Sequence, residues 1–367
     1  MMRTTRTSRV TRLLAGLAGL ALVASGCAGA ASQAGGPVQV RAAQVLPPGG
    51  SQSDLIQWFM DELEKRTDGQ VKTEVTYGGG LLSGTDTLPG LKQGRAEAGN
   101  VVPAYFPAEL PLNNINMVPI AHADQAARLR ALQDLVNGVD AFADELAKQD
   151  LVLIGFLPNN ASAVAFKPEV KSLADVDGLK IRIPAQPSSV VWRELGAEPT
   201  FQASEEVYES VERGIVDGVT YPMDTQVANG ITDVAKYMAP DVGENGGSIF
   251  AISKNAYDRM SDDAKAVIEE LKGEWYAKAD ELMTRYDKQA CEKFLDSGGT
   301  IVRWNEADQA TIADAVERLA PKVWKDEAAK STDSGTVEKV WQAYTEAVDE
   351  HTGESGYVEG LTTCGQK

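Results

Sequence analysis

From Val38 onward, strand-like runs alternate with helical ones, and the pattern is played twice, which restricts the chain to folds built from sheets covered by helices. Val38 to Val45 alternates apolar and polar residues as a strand does. After the Pro47-Pro48-Gly49-Gly50 loop, Ser53 is placed to cap a helix through Leu55, Phe59 and Leu63. Val71 to Tyr77 is the next strand, followed by Gly78-Gly79-Gly80, a short helix over Leu88 to Gly94 and a strand over Ala98 to Val102. Arg128 to Lys148 has helical spacing at Leu129, Leu132, Leu135, Val136 and Phe142. Leu151 to Phe156 is a continuous apolar run, the mark of a strand buried on both faces, and a parallel sheet is expected.

From Pro158 the alternation restarts. Lys180 to Ile183 reads as a strand, Ser188 to Leu195 as a helix carrying Trp192, Glu205 to Arg213 as a helix capped by Ser204 and stopped by Gly214, and Ile215 to Tyr221 as a strand. Two such units in series predict a two-lobed α/β protein with a ligand cleft between lobes and a hinge near Phe156 to Asn160. Ser261 opens a helical pattern through Ile268, Leu271, Trp275, Leu282, Met283 and Phe294 that ends at Gly298-Gly299. Unbroken, it would extend over about 50 Å and bridge both lobes; the alternative is two helices parted near Gly273. The expected division is 1–26 leader, 27–37 tether, 38–157 with 244–280 as lobe I, 158–243 with 281–350 as lobe II, and 351–367 as a tail.

The leader is an address rather than fold. Arg3, Arg6, Arg9 and Arg12 precede the apolar run Leu13 to Val23, which is short for a membrane span. It ends in Leu22-Val23-Ala24-Ser25-Gly26-Cys27, similar to a bacterial lipobox, in which Cys27 takes the lipid and becomes the mature N-terminus. The Gly/Ala/Ser/Gln stretch Ala28 to Gly36 is then a flexible tether. The chain is expected outside the cytoplasm, with membrane contact through the anchor only.

Thirty-five basic against 53 acidic residues give a net charge of −18, which repels nucleic acid; loss of the four leader arginines takes it to −22. Two histidines, His122 and His351, leave few ligands for a metal centre, and no cofactor or metal is expected. Gly78-Gly79-Gly80 lacks the Lys-Ser/Thr of a phosphate loop, and no G-x-S-x-G occurs. Glu205-Glu206 and Asp262-Asp263 lie at helix starts, where the macrodipole accounts for them. Binding rather than catalysis is the reading.

Arg182 stands apart. In Lys180-Ile181-Arg182-Ile183 the isoleucines share one face, and Arg182 takes the other beside Pro184, at a strand end. Its planar donor fork matches a carboxylate in two parallel hydrogen bonds, although the residues taken alone favour a solvated surface arginine. Asp175-Val-Asp-Gly-Leu-Lys-Ile-Arg-Ile-Pro184, Leu195-Gly-Ala-Glu-Pro-Thr200, Glu206-Val-Tyr208 and Gly214-Ile-Val-Asp-Gly218 resemble the signature blocks of TRAP-transporter solute-binding proteins of the DctP type. Thr67-Asp-Gly69, Gly79 to Leu82 and Gly94-Arg-Ala-Glu97 resemble the family's N-terminal blocks.

The resemblance implies a monomeric binding protein that closes on an organic acid and hands it to membrane permease subunits driven by an ion gradient. It makes Arg182 the carboxylate-binding residue and puts Tyr221 and Ser204 in the cleft. Where many members carry a second arginine, this chain has Ser162, within Asn159-Asn160-Ala-Ser162, which favours a monocarboxylate bearing hydroxyl or oxo groups over a diacid. Trp192, Tyr105, Gln44 and Asn159 are further candidate contacts, whereas Trp304 and Trp341 are expected to pack. An ABC importer's binding lipoprotein is the alternative reading. Cys291 and Cys364 in an exported chain favour a disulfide tying the tail to the long helix, with two free thiols as the alternative.

Overall fold

The first sheet is assembled from β1 (Val38–Ala43), β2 (Val71–Thr76), β3 (Ala98–Val101), β4 (Leu151–Phe156) and β10 (Ile249–Ser253), in the order β2-β1-β3-β10-β4. The second contains β5 (Ser162–Phe166), β6 (Lys180–Arg182), β7 (Glu198–Thr200), β8 (Gly218–Pro222), β9 (Tyr237–Pro240) and β11 (Thr300–Ile301), in the order β11-β9-β5-β8-β6-β7. The computed structural model describes residues 36–120, 124–160, 162–243 and 247–366. The leader with its Cys27, and His122, lie outside these residues.

Both sheets are mixed, which corrects the expectation of parallel ones. β1 runs parallel to β2 and β3, but β10, arriving late in the chain, inserts antiparallel between β3 and β4. β5 likewise lies antiparallel to β8 and β9, while β6 is parallel to β7 and β8. The apolar runs of β4 and β10 are those of central or covered strands, a property that buried antiparallel strands share.

Helix starts depart from the sequence reading in instructive ways. The first helix spans Ser51–Arg66 with Gly50 in the cap position. Ser53 is not its cap, because its hydroxyl donates to the Pro47 carbonyl at 2.7 Å. The stretch from Arg128 to Lys148 is two helices, Gln125–Gly138 and Asp140–Ala147, parted by extended backbone at Val139. Ser204 does not cap a helix either; it begins a 3-10 turn ahead of the helix Val207–Glu212 and turns its hydroxyl elsewhere.

The long helix is continuous over Asp262–Asp296, 35 residues, with Ser261 capping it through the Ala264 amide and Gly273 held inside. Asp262 and Asp263 sit in its first turn, where the dipole favours them. It packs on the helix Ser51–Arg66, which flanks the first sheet, and on the helix Met223–Ala228, which follows β8 of the second. Trp275 locks this packing: it stacks on Phe250 at 6.0 Å, meets Phe59 edge-on and donates its indole N–H to the Phe156 carbonyl at 2.8 Å. The indole lies where a Cβ on Gly155 would be, so β4 must carry glycine there. Near its other end the helix is joined to the tail by the Cys291–Cys364 disulfide. Trp304 is buried with its indole N–H on the Pro240 carbonyl, and Trp341 packs on Trp324.

Candidate ligand-binding site

Residues on strands and loops of both sheets line one cavity that opens to solvent. Arg182, the last residue of β6, is fully buried in its wall. The alternation of the strand puts Ile181 and Ile183 into the core and frees the guanidinium for the opposite side. Several contacts orient it: Nε donates to the Gln202 carbonyl at 3.0 Å, Nη2 to the Tyr105 hydroxyl at 3.3 Å and Nη1 towards the Thr220 carbonyl at 3.5 Å. Its carbon lies 4.6 Å from the Tyr221 ring centre, a cation–π contact in a desolvated setting. Among the described lining residues, Arg182 is the one with a charged side chain.

Tyr105 joins the two halves of the wall. Its hydroxyl is 3.0 Å from Ser204 Oγ as well as within reach of Arg182, and its ring meets Phe201 edge-on. Burial pushes the Tyr221 phenol up to about 12, with the Arg182 charge pulling the other way, so at neutral pH it keeps its proton and can donate. Among the described residues its hydroxyl has no partner in full hydrogen-bonding geometry, while the nearby Ser204 hydroxyl also pulls its pKa down. Ser162 and Asn159 also line the cavity; Ser162 Oγ donates to Asp241 at 2.8 Å and Asn159 Oδ1 accepts from Gln52 Nε2 at 2.5 Å.

Of the residues singled out in the sequence, the cavity thus brings together Arg182, Tyr221, Ser204, Tyr105, Asn159 and Ser162. Gln44 and Trp192 are not among its lining residues. Gln44 is fully buried behind the wall, where Nε2 donates to Ser53 Oγ and Oε1 accepts from the Leu46 amide. Trp192 is fully buried too and gives its indole N–H to Asp241 at 2.7 Å, so its ring is spent on packing. Sequence reasoning passed over Asn100, Gln52 and Ser248, which form an uncharged polar group on the first-sheet side of the wall. One cation, several hydroxyls and a set of amides can hold a small organic anion by charge at one point and by hydrogen bonds elsewhere. No helix among the described residues is long and apolar enough to cross a membrane.

Known proteins resemble the chain along most of its length. Residues 42–327 match the model of DctP, the bacterial extracellular solute-binding proteins of family 7. A solute-binding protein of Chromohalobacter salexigens is 23% identical over 278 residues, covering 75% of this chain and 81% of its own. The monocarboxylate 2-oxoacid-binding periplasmic protein of a Nostoc species is 24% identical over 296 residues, 77% of each chain. The fold is also that of a TRAP solute-binding protein of a marine metagenome, specific for aromatic acid ligands and solved with metahydroxyphenylacetate. The two superpose with a TM-score of 0.75 at 20% identity, over 86% of this chain and 99% of the other.

Proposed function

The chain belongs to the DctP family of bacterial extracellular solute-binding proteins, and we propose that it is the receptor of a TRAP transporter for a monocarboxylate bearing hydroxyl or oxo groups. The observation that carries this reading is Arg182, a buried guanidinium oriented by backbone carbonyls and by Tyr105 in a cavity whose other described lining side chains are neutral. A carboxylate entering such a site loses its water and needs a charged donor fork in exchange. A second carboxylate would find amides and hydroxyls but no second cation among the described lining residues, and its desolvation would go uncompensated. The Nostoc relative is named for monocarboxylate 2-oxoacids, and the metagenomic receptor holds one carboxylate with one hydroxyl, which is the same pattern.

In this scheme residues 38–157 with 244–280 form lobe I and 158–243 with 281–350 form lobe II, and the ligand is enclosed when they close around it. Lipidated Cys27 holds the receptor at the outer face of the cell membrane, and the loaded protein delivers its ligand to permease subunits driven by an ion gradient. Closure supplies the readout that the permease needs, since loaded and empty receptors then differ in shape.

The test begins with protein unfolded and refolded to strip any carried ligand, then a thermal-shift screen against an organic-acid library. Calorimetry follows with the best acid, its methyl ester and a matched dicarboxylate. Arg182→Ala should lower affinity more than a hundredfold, about 3 kcal/mol or more, and Arg182→Lys should restore only part because the fork is lost. An ester that binds as tightly as the acid, or full affinity in Arg182→Ala, would overturn the carboxylate clamp. If Cys27→Ser leaves the protein in the membrane fraction at unchanged mass, the anchor is elsewhere.

A further inference from the structure

Beyond the carboxylate end lies an acceptor with nothing to accept. Asn100, on β3, is 1% exposed, lines the cavity, and its Oδ1 has no hydrogen-bond partner among the described residues. Its orientation follows from donors that cannot be reversed. The Leu46 backbone N–H can only donate, and it points at Gln44 at 3.2 Å, which makes that atom the amide oxygen Oε1. Asn100 approaches the same oxygen at 2.7 Å, so the atom it presents there must be Nδ2. Nδ2 is also 3.4 Å from Gln52 Oε1, which accepts from Ser248 Oγ at 3.1 Å. Both amides are thereby committed, and Asn100 Oδ1 is left as a fixed acceptor in the wall with no donor among the described residues.

We propose that Asn100 is the specificity-determining residue for the part of the ligand remote from its carboxylate, and that it selects a hydrogen-bond donor there, a hydroxyl or a ring N–H. A buried carbonyl oxygen without a donor is unfavourable, and a ligand group that supplies the missing proton removes the penalty. A carboxylate or a bare ether oxygen brings lone pairs against lone pairs and is rejected. A C–H leaves the acceptor without a donor and gains nothing. The site therefore discriminates as sites built to hydrogen-bond a substrate hydroxyl do, against the analogue that lacks it. Because Gln44 stands behind Asn100 and holds it through Nδ2, Gln44 is a positioning residue that acts on the ligand only through Asn100.

The proposal rests on the carboxylate reading, and the experiment separates the two. The refolded, ligand-free protein is titrated by calorimetry with matched sets whose donor lies away from the carboxylate: 3-hydroxyphenylacetate, phenylacetate and 3-methoxyphenylacetate; 3-hydroxybenzoate and benzoate; 4-hydroxybutyrate and butyrate. In wild type the donor-bearing member of the pairs that bind should exceed its donor-free partner at least tenfold. Asn100→Leu should bring that ratio close to one while the dependence on Arg182 persists. Asn100→Ala, smaller and therefore a guard against misfolding of the leucine variant, removes the same acceptor and should bring the ratio equally close to one. Gln44→Leu should lower the ratio without touching the ester discrimination. A ratio near one in wild type, or an unchanged ratio in Asn100→Leu, overturns the assignment while leaving the carboxylate clamp intact. Failure of all these acids to bind, with tight binding of an uncharged solute, would sink both.

Discussion

Trp192 and Asp241 show how a buried polar pair behind a cavity differs from a contact within it. Asp241 collects the Trp192 indole N–H, the Ser162 hydroxyl and the Val242 amide, and burial still pushes its carboxyl up. Trp192→Phe keeps most of the ring volume but strips one donor from a buried carboxyl, which should cost about 1–3 kcal/mol of stability. Ligand affinity should change less than twofold, because the ring does not line the cavity; denaturant unfolding and calorimetry read the two effects separately. Arg182 was legible only in part: strand alternation beside a proline set its side chain apart but favoured a solvated surface position, whereas it is fully buried in the cavity wall, and only the resemblance pointed it at a ligand. Asn100 was not, although the signal was present: an asparagine inside Ala98–Val102, an otherwise small and apolar strand, asks what satisfies its amide. The answer depends on Gln44, Gln52 and Ser248, brought to it from three other segments, and no local pattern encodes that meeting.

Among elements, the long helix was the easiest to read and β10 the hardest, for one physical reason. A 35-residue helix repeats its apolar period many times, so single exceptions such as Gly273, costing about 1 kcal/mol, cannot hide it. β10 is five residues, four of them apolar, whose direction and neighbours are set by strands formed elsewhere. The helix also concentrates close contacts. Gly155→Val would drive a side chain into the Trp275 indole, and the strained repacking should lower stability by about 1–3 kcal/mol or more, visible as a lower denaturation midpoint. At the opposite end, Gly360 leaves no room for a Cβ against Asp287 and donates its amide to that carboxylate at 2.9 Å. The disulfide next to it closes a loop with a sequence separation of 73, for which chain entropy predicts about 4 kcal/mol. The Cys291→Ser, Cys364→Ser pair should lose up to that amount, and thiol labelling of the wild type under denaturing, non-reducing conditions should find neither Cys291 nor Cys364 free.

At the scale of the molecule, elements of the two sheets are linked by hydrogen bonds around the cavity. Ser51 donates to Asp224 through both its amide at 2.9 Å and its hydroxyl at 2.7 Å, Gln52 reaches Asn159, and the Gly84 amide donates to Glu205 at 3.1 Å. If the lobes part, these bonds must exchange for water, so saturating acid should reduce the radius of gyration seen by small-angle scattering; no change would indicate a rigid pocket. Asn160 extends the network by donating to Asp287 on the long helix, where Tyr357 and Gly360 of the tail also converge. Burial pushes Asp287 up to about 6, helped by the charge of Asp224, and burial followed by the charges of Asp287 and Asp124 pushes Glu359 up to about 7, against the pull of Arg128. Both folded values lie above those of an unfolded chain, near 4, so between about pH 4 and 7 the folded state binds more protons and the unfolding free energy falls as pH rises. Urea unfolding at pH 5, 6, 7 and 8 should therefore show declining stability, steepest below about pH 7. Glu359→Gln should flatten the upper part of that decline and raise stability at pH 8, since the amide needs no proton to be neutral. Stability that instead climbs from pH 5 to 7 in the wild type would mean that the tail carboxylates are already ionised and paired in the folded protein.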